Sequence, residues 1–456
     1  NTKPIIKLKN MLHLIVDENM ALHDFLHLIE KTKRKTYYAI DNQSKLIGSI
    51  SEGDIRRFMI RNKNLPKTIN PAINTTPFCY FEENLDNLHS LRILRESYKI
   101  PVVNNDNILV GFYPNNSSDL VSNDKNSVSI IAPTRVSFAG GGSDVHYWFE
   151  KQEGCVVNLG IAKYARILIS RNFSKKVNIN SLNTNETLNL NIDDISSYNG
   201  EILKLVVQCL KTCGIKDGID IDIFCDFDPG TGLGGSSSLV VAIIKGLSKL
   251  FGLDLSIRQL IKFAYYIERR ELKITGGLQD QIAAVYGGLC ISNFYKSDFT
   301  THKIDLHQDN IDKLNGTLFL SKVGESRSSN ELHQLQKKVK DDIVFVSNMK
   351  KIVRLAKECS DKIGQQNVEG LGEIFHKGWL LKREFGEFIT NDLIDRRYEE
   401  LRQFGATGGR LVGAGKSGYL LMMVPTENQT KFIHSCMSAN IQIERLKVDE
   451  LGVREI

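Results

Sequence analysis

No stretch of this chain approaches the roughly 20 consecutive apolar residues that a bilayer-crossing helix needs. Residues 1–10 carry no hydrophobic run of the secretory kind. A cytoplasmic protein that does not enter membranes is the expectation. Cysteine is sparse, with eight in 456 residues and no Cys-x-x-Cys pair. That argues against a zinc site or a disulfide framework and for reduced structural thiols. Cys209 and Cys213 stand one helical turn apart, but the segment around them reads as an amphipathic helix with small apolar fillers. Runs of lysine and arginine interleaved with aromatics are missing, and a net charge of +6 is small over this length. Nucleic acid is therefore not an expected partner. With 41% hydrophobic and 25% charged residues the composition is globular. The length exceeds one ordinary core, and about 100–200 residues per domain gives two or three domains.

Glycine is concentrated where a chain makes a phosphate-binding helix start. In DPGTGLGGSSSLVVAIIKGL, Gly230, Gly232, Gly234 and Gly235 lack the Cβ atoms that would keep an anion from the backbone N–H groups. Ser236, Ser237 and Ser238 add hydroxyls, and Leu239, Val240, Ile243, Ile244 and Leu247 recur at helical spacing. A helix N-terminus with unpaired N–H groups and about half a positive charge suits triphosphate oxygens. An ordinary Gly/Ser loop has the same composition, so the segment alone does not decide.

Residues 1–115 carry an internal repeat. Each copy reads as an extended entry, an amphipathic helix (Leu22, Phe25, Leu26, Ile29; then Leu85, Leu88, Leu91, Leu94), a strand, a polar turn and a second strand. Neither copy is long enough to bury its own apolar face, so the two should pack as one unit. The pattern resembles a tandem CBS pair, and GSISEGDIRRFMIRN resembles that family's ligand segment. The resemblance implies an adenine nucleotide held by Ser51 and Asp54, where a carboxylate would accept two hydroxyl hydrogen bonds from a ribose. The alternative is that Asp54 caps the helix that follows. The second copy has no aspartate at the matching position. Residues 116–127 are polar and read as a linker.

From residue 128 to 456 strand-like and long helical segments alternate, which implies an α+β enzyme with a first lobe to about residue 300 and a second from about 301. Four segments occur in order: APTRVSFAGGGSDV, the glycine loop, YYIERRELKITGGLQDQIAAVYGG, and GATGGRLVGAGKSGYLLMMV. Together they resemble the signature segments of the GHMP kinases, over essentially all of 128–456. Within the family the likeness runs toward heptose 7-phosphate kinases. Galactokinases carry a Glu-His-x-Asp run where this chain has GGGSD.

The resemblance implies roles residue by residue. Asp280 would face the acceptor hydroxyl as general base, and Arg135 would stabilise charge on the transferring group. Gly230, Gly232, Leu233, Gly234, Gly235, Ser236, Ser237, Gly413 and Gly415 would cradle ATP. Ser236 and Glu268 would hold Mg2+, a hard ion that takes few protein oxygens. Asp144, with Gly141, Gly142 and Ser143, would meet the sugar. An acceptor that already carries phosphate needs a second anion clamp, for which Arg327, Lys377 and Lys382 are candidates. The plainer readings are a surface charge for Glu268, a turn carboxylate for Asp144, and solvated helix faces for the three cations; Trp379 reads as core. The last segment departs from the family's GAGxGG pattern by Lys416 and Ser417, which either crowd the phosphate loop or add a cation to it.

The expected function is Mg-ATP-dependent phosphorylation of the anomeric hydroxyl of a heptose 7-phosphate, giving the 1,7-bisphosphate for surface polysaccharide. The alternatives are a GHMP kinase for fucose, galactose or an N-acetylhexosamine, and a nucleotide-sensing homologue without turnover. Oligomeric state is left open, a homodimer included.

Overall fold

The computed structural model describes residues 6–7, 14–32, 36–61, 66–75, 80–81, 100–113, 126–201, 203–251, 255–296, 298–324, 342–386, 389–413 and 415–456. Two compact units result: residues 1–124 with 251–256, and 125–250 with 257–456.

The repeat of the first unit appears as repeated topology. Ile15–Asp17 runs parallel to Tyr37–Ile40, which turns back antiparallel as Leu46–Ile50. Tyr80–Phe81 pairs in parallel with Ile100–Val103, which turns back as Leu109–Tyr113, and Ile6–Lys7 adds to that last strand. Helix Leu22–Thr32 presses Leu22 and Phe25 onto the first sheet, as the helical spacing of its apolar residues requires. Leu14, Tyr38 and Leu46 of the first copy share a core with Val103, Leu109 and Phe112 of the second, so neither copy buries its apolar face alone. The expected helix over Leu85–Leu94 lies outside the described residues.

The second unit is built on an eight-stranded sheet, as the alternating β-branched residues of its strands favour. Its axis is the 18-residue strand Gly154–Arg171, paired with Ser127–Ala139, Ile219–Cys225 and Leu289–Tyr295. Helices Gly235–Leu250 and Gln279–Tyr286 pack on this sheet. A second, four-stranded sheet joins Gly408–Leu411, Gly418–Met423, Leu318–Val323 and Glu444–Arg445. Helices Ile343–Gly364 and Leu371–Arg383 carry Val353, Leu355, Phe375 and their neighbours into one core with strand residues of both sheets. This mixture is α+β, as expected. Helix Gln308–Thr317 runs directly into strand Leu318–Val323. Helix Ile257–Tyr266 widens into a π turn over Ile267–Glu271. Among the described residues no helix is long and apolar enough to cross a membrane, and no group of three or more His, Cys, Asp or Glu is arranged to hold a metal ion.

Candidate active site

The second unit holds a cavity of 640 Å³ with the glycine loop, Arg135, Asp280 and the start of helix Gly235–Leu250 in its wall. The loop is positioned by what glycine permits. Gly232 has φ 78°, and a Cβ there would lie 2.7 Å from the Val412 carbonyl oxygen and 2.9 Å from Cα of Gly413. The two glycine segments, far apart in sequence, therefore pack backbone to backbone. Gly234 has φ 80°, and a Cβ there would stand 3.2 Å from the carboxyl carbon of Asp280. Between them Leu233 is fully buried, pinning the loop from below.

Arg135 ties three elements together from strand Ser127–Ala139. Its Nε donates to Oδ1 of Asp280 at 2.8 Å, its Nη2 lies 2.5 Å from the same oxygen, and its Nη1 donates to the Gly232 carbonyl at 2.6 Å. Its backbone N–H donates to the Leu233 carbonyl. Asp280, in the first turn of Gln279–Tyr286, keeps part of its carboxylate open to the cavity. The arrangement can accept a proton from an alcohol while a cation stands beside the transferring group.

Glu268 is fully buried on the π turn, a backbone irregularity frequent at functional sites. Ser236 donates to its Oε1 at 2.8 Å, Ser237 to its Oε2 at 2.7 Å, and Gln281 to Oε2 at 2.5 Å. It is no surface charge. Ser236 is exposed in the cavity wall. The Ser236 hydroxyl and Glu268 Oε1, joined by this hydrogen bond, are hard oxygen donors of the kind Mg2+ takes.

Other candidates are placed differently from expectation. Gly141 and Gly142 line the cavity, but Ser143 is fully buried and holds the Gly140 and Cys155 backbones. Asp144 is buried behind the wall, accepting from the N–H groups of Gly142 and Gln279 and from the Gln279 side chain. A Cβ on Gly277 would collide with its carboxylate. Burial, then the nearby Asp280, push its pKa up. Ser143 and Asp144, expected to meet the sugar, brace the glycine turn, and Asp144 ties it to the helix that carries Asp280. Lys377 is half exposed, pairs with Glu373 at 2.7 Å and stands outside the cavity. Lys382 is buried in its wall. Arg327 lies outside the described residues. Gly413 lines the cavity whereas Gly415, Lys416 and Ser417 do not. Lys416 sits at φ 56° with its N–H bonded to the Ile389 carbonyl. Trp379 fills core, as expected.

Sequence reasoning missed Arg410, Arg269, Tyr147 and Gln279, all in the cavity wall. Arg410 had one signal: a charged residue inside a short strand that is otherwise glycine and leucine.

In the first unit Ser51 and Asp54 form a capping box, with the Ser51 hydroxyl donating to Asp54 at 2.6 Å and the Asp54 N–H to the serine oxygen at 3.2 Å. Arg57 donates to the other carboxylate oxygen at 2.5 Å.

Residues 201–288, which span the glycine loop, Glu268 and Asp280, match the family model of the GHMP kinase N-terminal domain. Those residues carry the likeness to the GHMP kinase N-terminal domain. A GHMP kinase is an ATP-dependent phosphotransferase with a hydroxyl acceptor. The D-glycero-alpha-D-manno-heptose 7-phosphate kinase of Campylobacter jejuni is 26% identical over 327 residues, 71% of this chain and 96% of that one. The bifunctional fucokinase/GDP-fucose pyrophosphorylase of Arabidopsis thaliana is 25% identical over 333 residues. That match takes in 68% of this chain but 31% of the longer plant protein. The crystal structure of a D-glycero-D-manno-heptose 1-phosphate kinase from Bacteroides thetaiotaomicron shares the fold. Its TM-score is 0.58 at 22% identity, covering 72% of this chain and 98% of that one.

Proposed function

We propose that this chain is a GHMP kinase that transfers the γ-phosphoryl group of ATP to the anomeric hydroxyl of a heptose that already carries a 7-phosphate. The product would be a 1,7-bisphosphate, an intermediate suited to making activated heptose for surface polysaccharide. The observation that carries the reaction type is the meeting of Asp280, Arg135 and Gly232 in one cavity wall. The choice of sugar is supported by the 26% identical Campylobacter relative, whose name states that substrate.

In this reading the loop N–H groups and the start of helix Gly235–Leu250 bind the nucleotide's phosphates. Ser236 and Glu268 would hold Mg2+, which when bound would offset negative charge on the phosphates. Asp280 accepts the proton of the acceptor hydroxyl as its oxygen bonds to phosphorus, and ADP leaves. Arg135 holds Asp280 in place and stabilises charge on the transferring group without itself moving a proton. Phosphorus NMR of a reaction with ATP and D-glycero-D-manno-heptose 7-phosphate should show a second phosphoester at C1. Transfer only to an unphosphorylated fucose, galactose or N-acetylhexosamine would overturn the choice of sugar and leave the reaction type standing.

The repeated strand topology of residues 1–115 supports reading them as a CBS-like pair that senses an adenine nucleotide. Calorimetric titration of the full chain with AMP tests this, and a flat titration overturns it.

A further inference from the structure

Buried charges in folded proteins are ordinarily paired. Two cations in this cavity depart from that. Arg410 and Lys382 are 5% and 6% exposed, both line the wall, and among the described residues neither has a carboxylate partner. Arg410 donates from Nη1 to the Phe138 carbonyl at 3.0 Å, while its Nε has no partner at all. Lys382 donates to the Gly413 carbonyl at 2.5 Å. Nε is itself buried, so Nη2 is the guanidinium nitrogen left to donate to a phosphate from the cavity wall. A Cβ on Gly141 would stand 3.7 Å from Nη2, an ordinary contact, so this nitrogen lies beside the glycine turn in the cavity wall.

We infer that Arg410 and Lys382 form the clamp for the phosphate that the acceptor brings with it. This rests on the reading of the acceptor as a sugar phosphate. Arg135 is already neutralised by Asp280, and the glycine loop supplies N–H donors for the nucleotide, so the two unpaired cations are left for another dianion. Arg410 meets the cavity beside Gly141 of the glycine turn rather than beside the Gly230–Ser236 loop. Mutual repulsion fits the same picture. Burial, then Arg410 and Arg135, bring the Lys382 pKa down to about 7 against the opposing pull of Asp144, and an arriving dianion relieves this.

The test is calorimetry on the full chain with a non-hydrolysable ATP analogue filling the nucleotide site. Three ligands are titrated: D-glycero-D-manno-heptose 7-phosphate, the same heptose without phosphate, and inorganic phosphate. Arg410→Gln and Lys382→Met should each weaken the two phosphate-bearing ligands by about 10–100-fold and the bare heptose by less than about threefold. Arg410→Lys, which keeps charge but loses the planar fork, should fall between wild type and Arg410→Gln. Melting curves confirm that each variant folds. Equal weakening of phosphorylated and bare heptose would assign the cations to the transferring group and overturn the clamp, as would unchanged phosphate affinity. Wild type that binds inorganic phosphate through these residues but not heptose 7-phosphate would keep the clamp and retire the sugar.

Discussion

Arg135 and Asp280, separated by 145 residues in the chain, share one oxygen at 2.5 and 2.8 Å while the same guanidinium holds the carbonyl of Gly232. One side chain thus sets the distance between the group that takes a proton and the loop that delivers phosphate. Arg135→Gln removes this brace and its charge. The expected outcome is a kcat loss of about 10²–10³-fold, with a smaller change in ATP affinity; steady-state kinetics together with nucleotide titration check it.

Gly232→Ala adds a side chain at positive φ against the Val412–Gly413 backbone. The conformation alone costs about 1–2 kcal/mol, and the overlap with fixed backbone adds to it. Calorimetry should show a Tm lower by at least about 3 °C and weaker ATP binding. A variant with wild-type Tm and affinity would show that the two glycine segments do not need to touch.

Glu268→Gln preserves shape but removes the charge beneath Ser236 and Ser237. The Mg2+ concentration for half-maximal rate should rise by about 10-fold or more. Measuring rate against Mg2+ at fixed ATP decides it, and an unchanged requirement would return Glu268 to a structural role.

Lys382 gives the pH dependence its sign. Burial first, then Arg410 and Arg135, lower its pKa from 10.5 to about 7, with Asp144 acting in the opposite sense. The unfolded chain therefore binds a proton between about pH 7 and 10.5 that the folded protein has released. Folding stability gains from this lysine as pH rises through that window. In Lys382→Met the gain should disappear, and Tm at pH 6 should rise by about 2–4 °C per kcal/mol recovered. Affinity for a phosphate-bearing acceptor should move the other way and weaken as pH climbs past about 7, which titration at pH 6 and 9 checks.

Residue type and order made the reaction type legible. Four glycines before an apolar helix, with Arg135, Glu268 and Asp280 in other segments, name a phosphate loop and charged groups to serve it. Direction is harder to read. Ser143 and Asp144 follow a triple glycine and look like sugar contacts, yet their oxygens bond neighbouring backbone groups, and composition cannot separate a wall from its brace. Lys377 and Lys382 are a case where periodicity was informative. Five residues apart on helix Leu371–Arg383, they point about 140° apart, so both cannot face one cavity. Arg410 was hidden because a short apolar strand usually signals core, and only tertiary packing turns its edge into the cavity.

The role of Asp280 is tested most directly by Asp280→Asn in a single-turnover assay with γ-labelled ATP and heptose 7-phosphate. The expected result is intact folding and ATP binding with transfer slowed by about 10²–10⁴-fold. Transfer at near wild-type rate would show that another group takes the proton, and the site as described here would not be the catalyst.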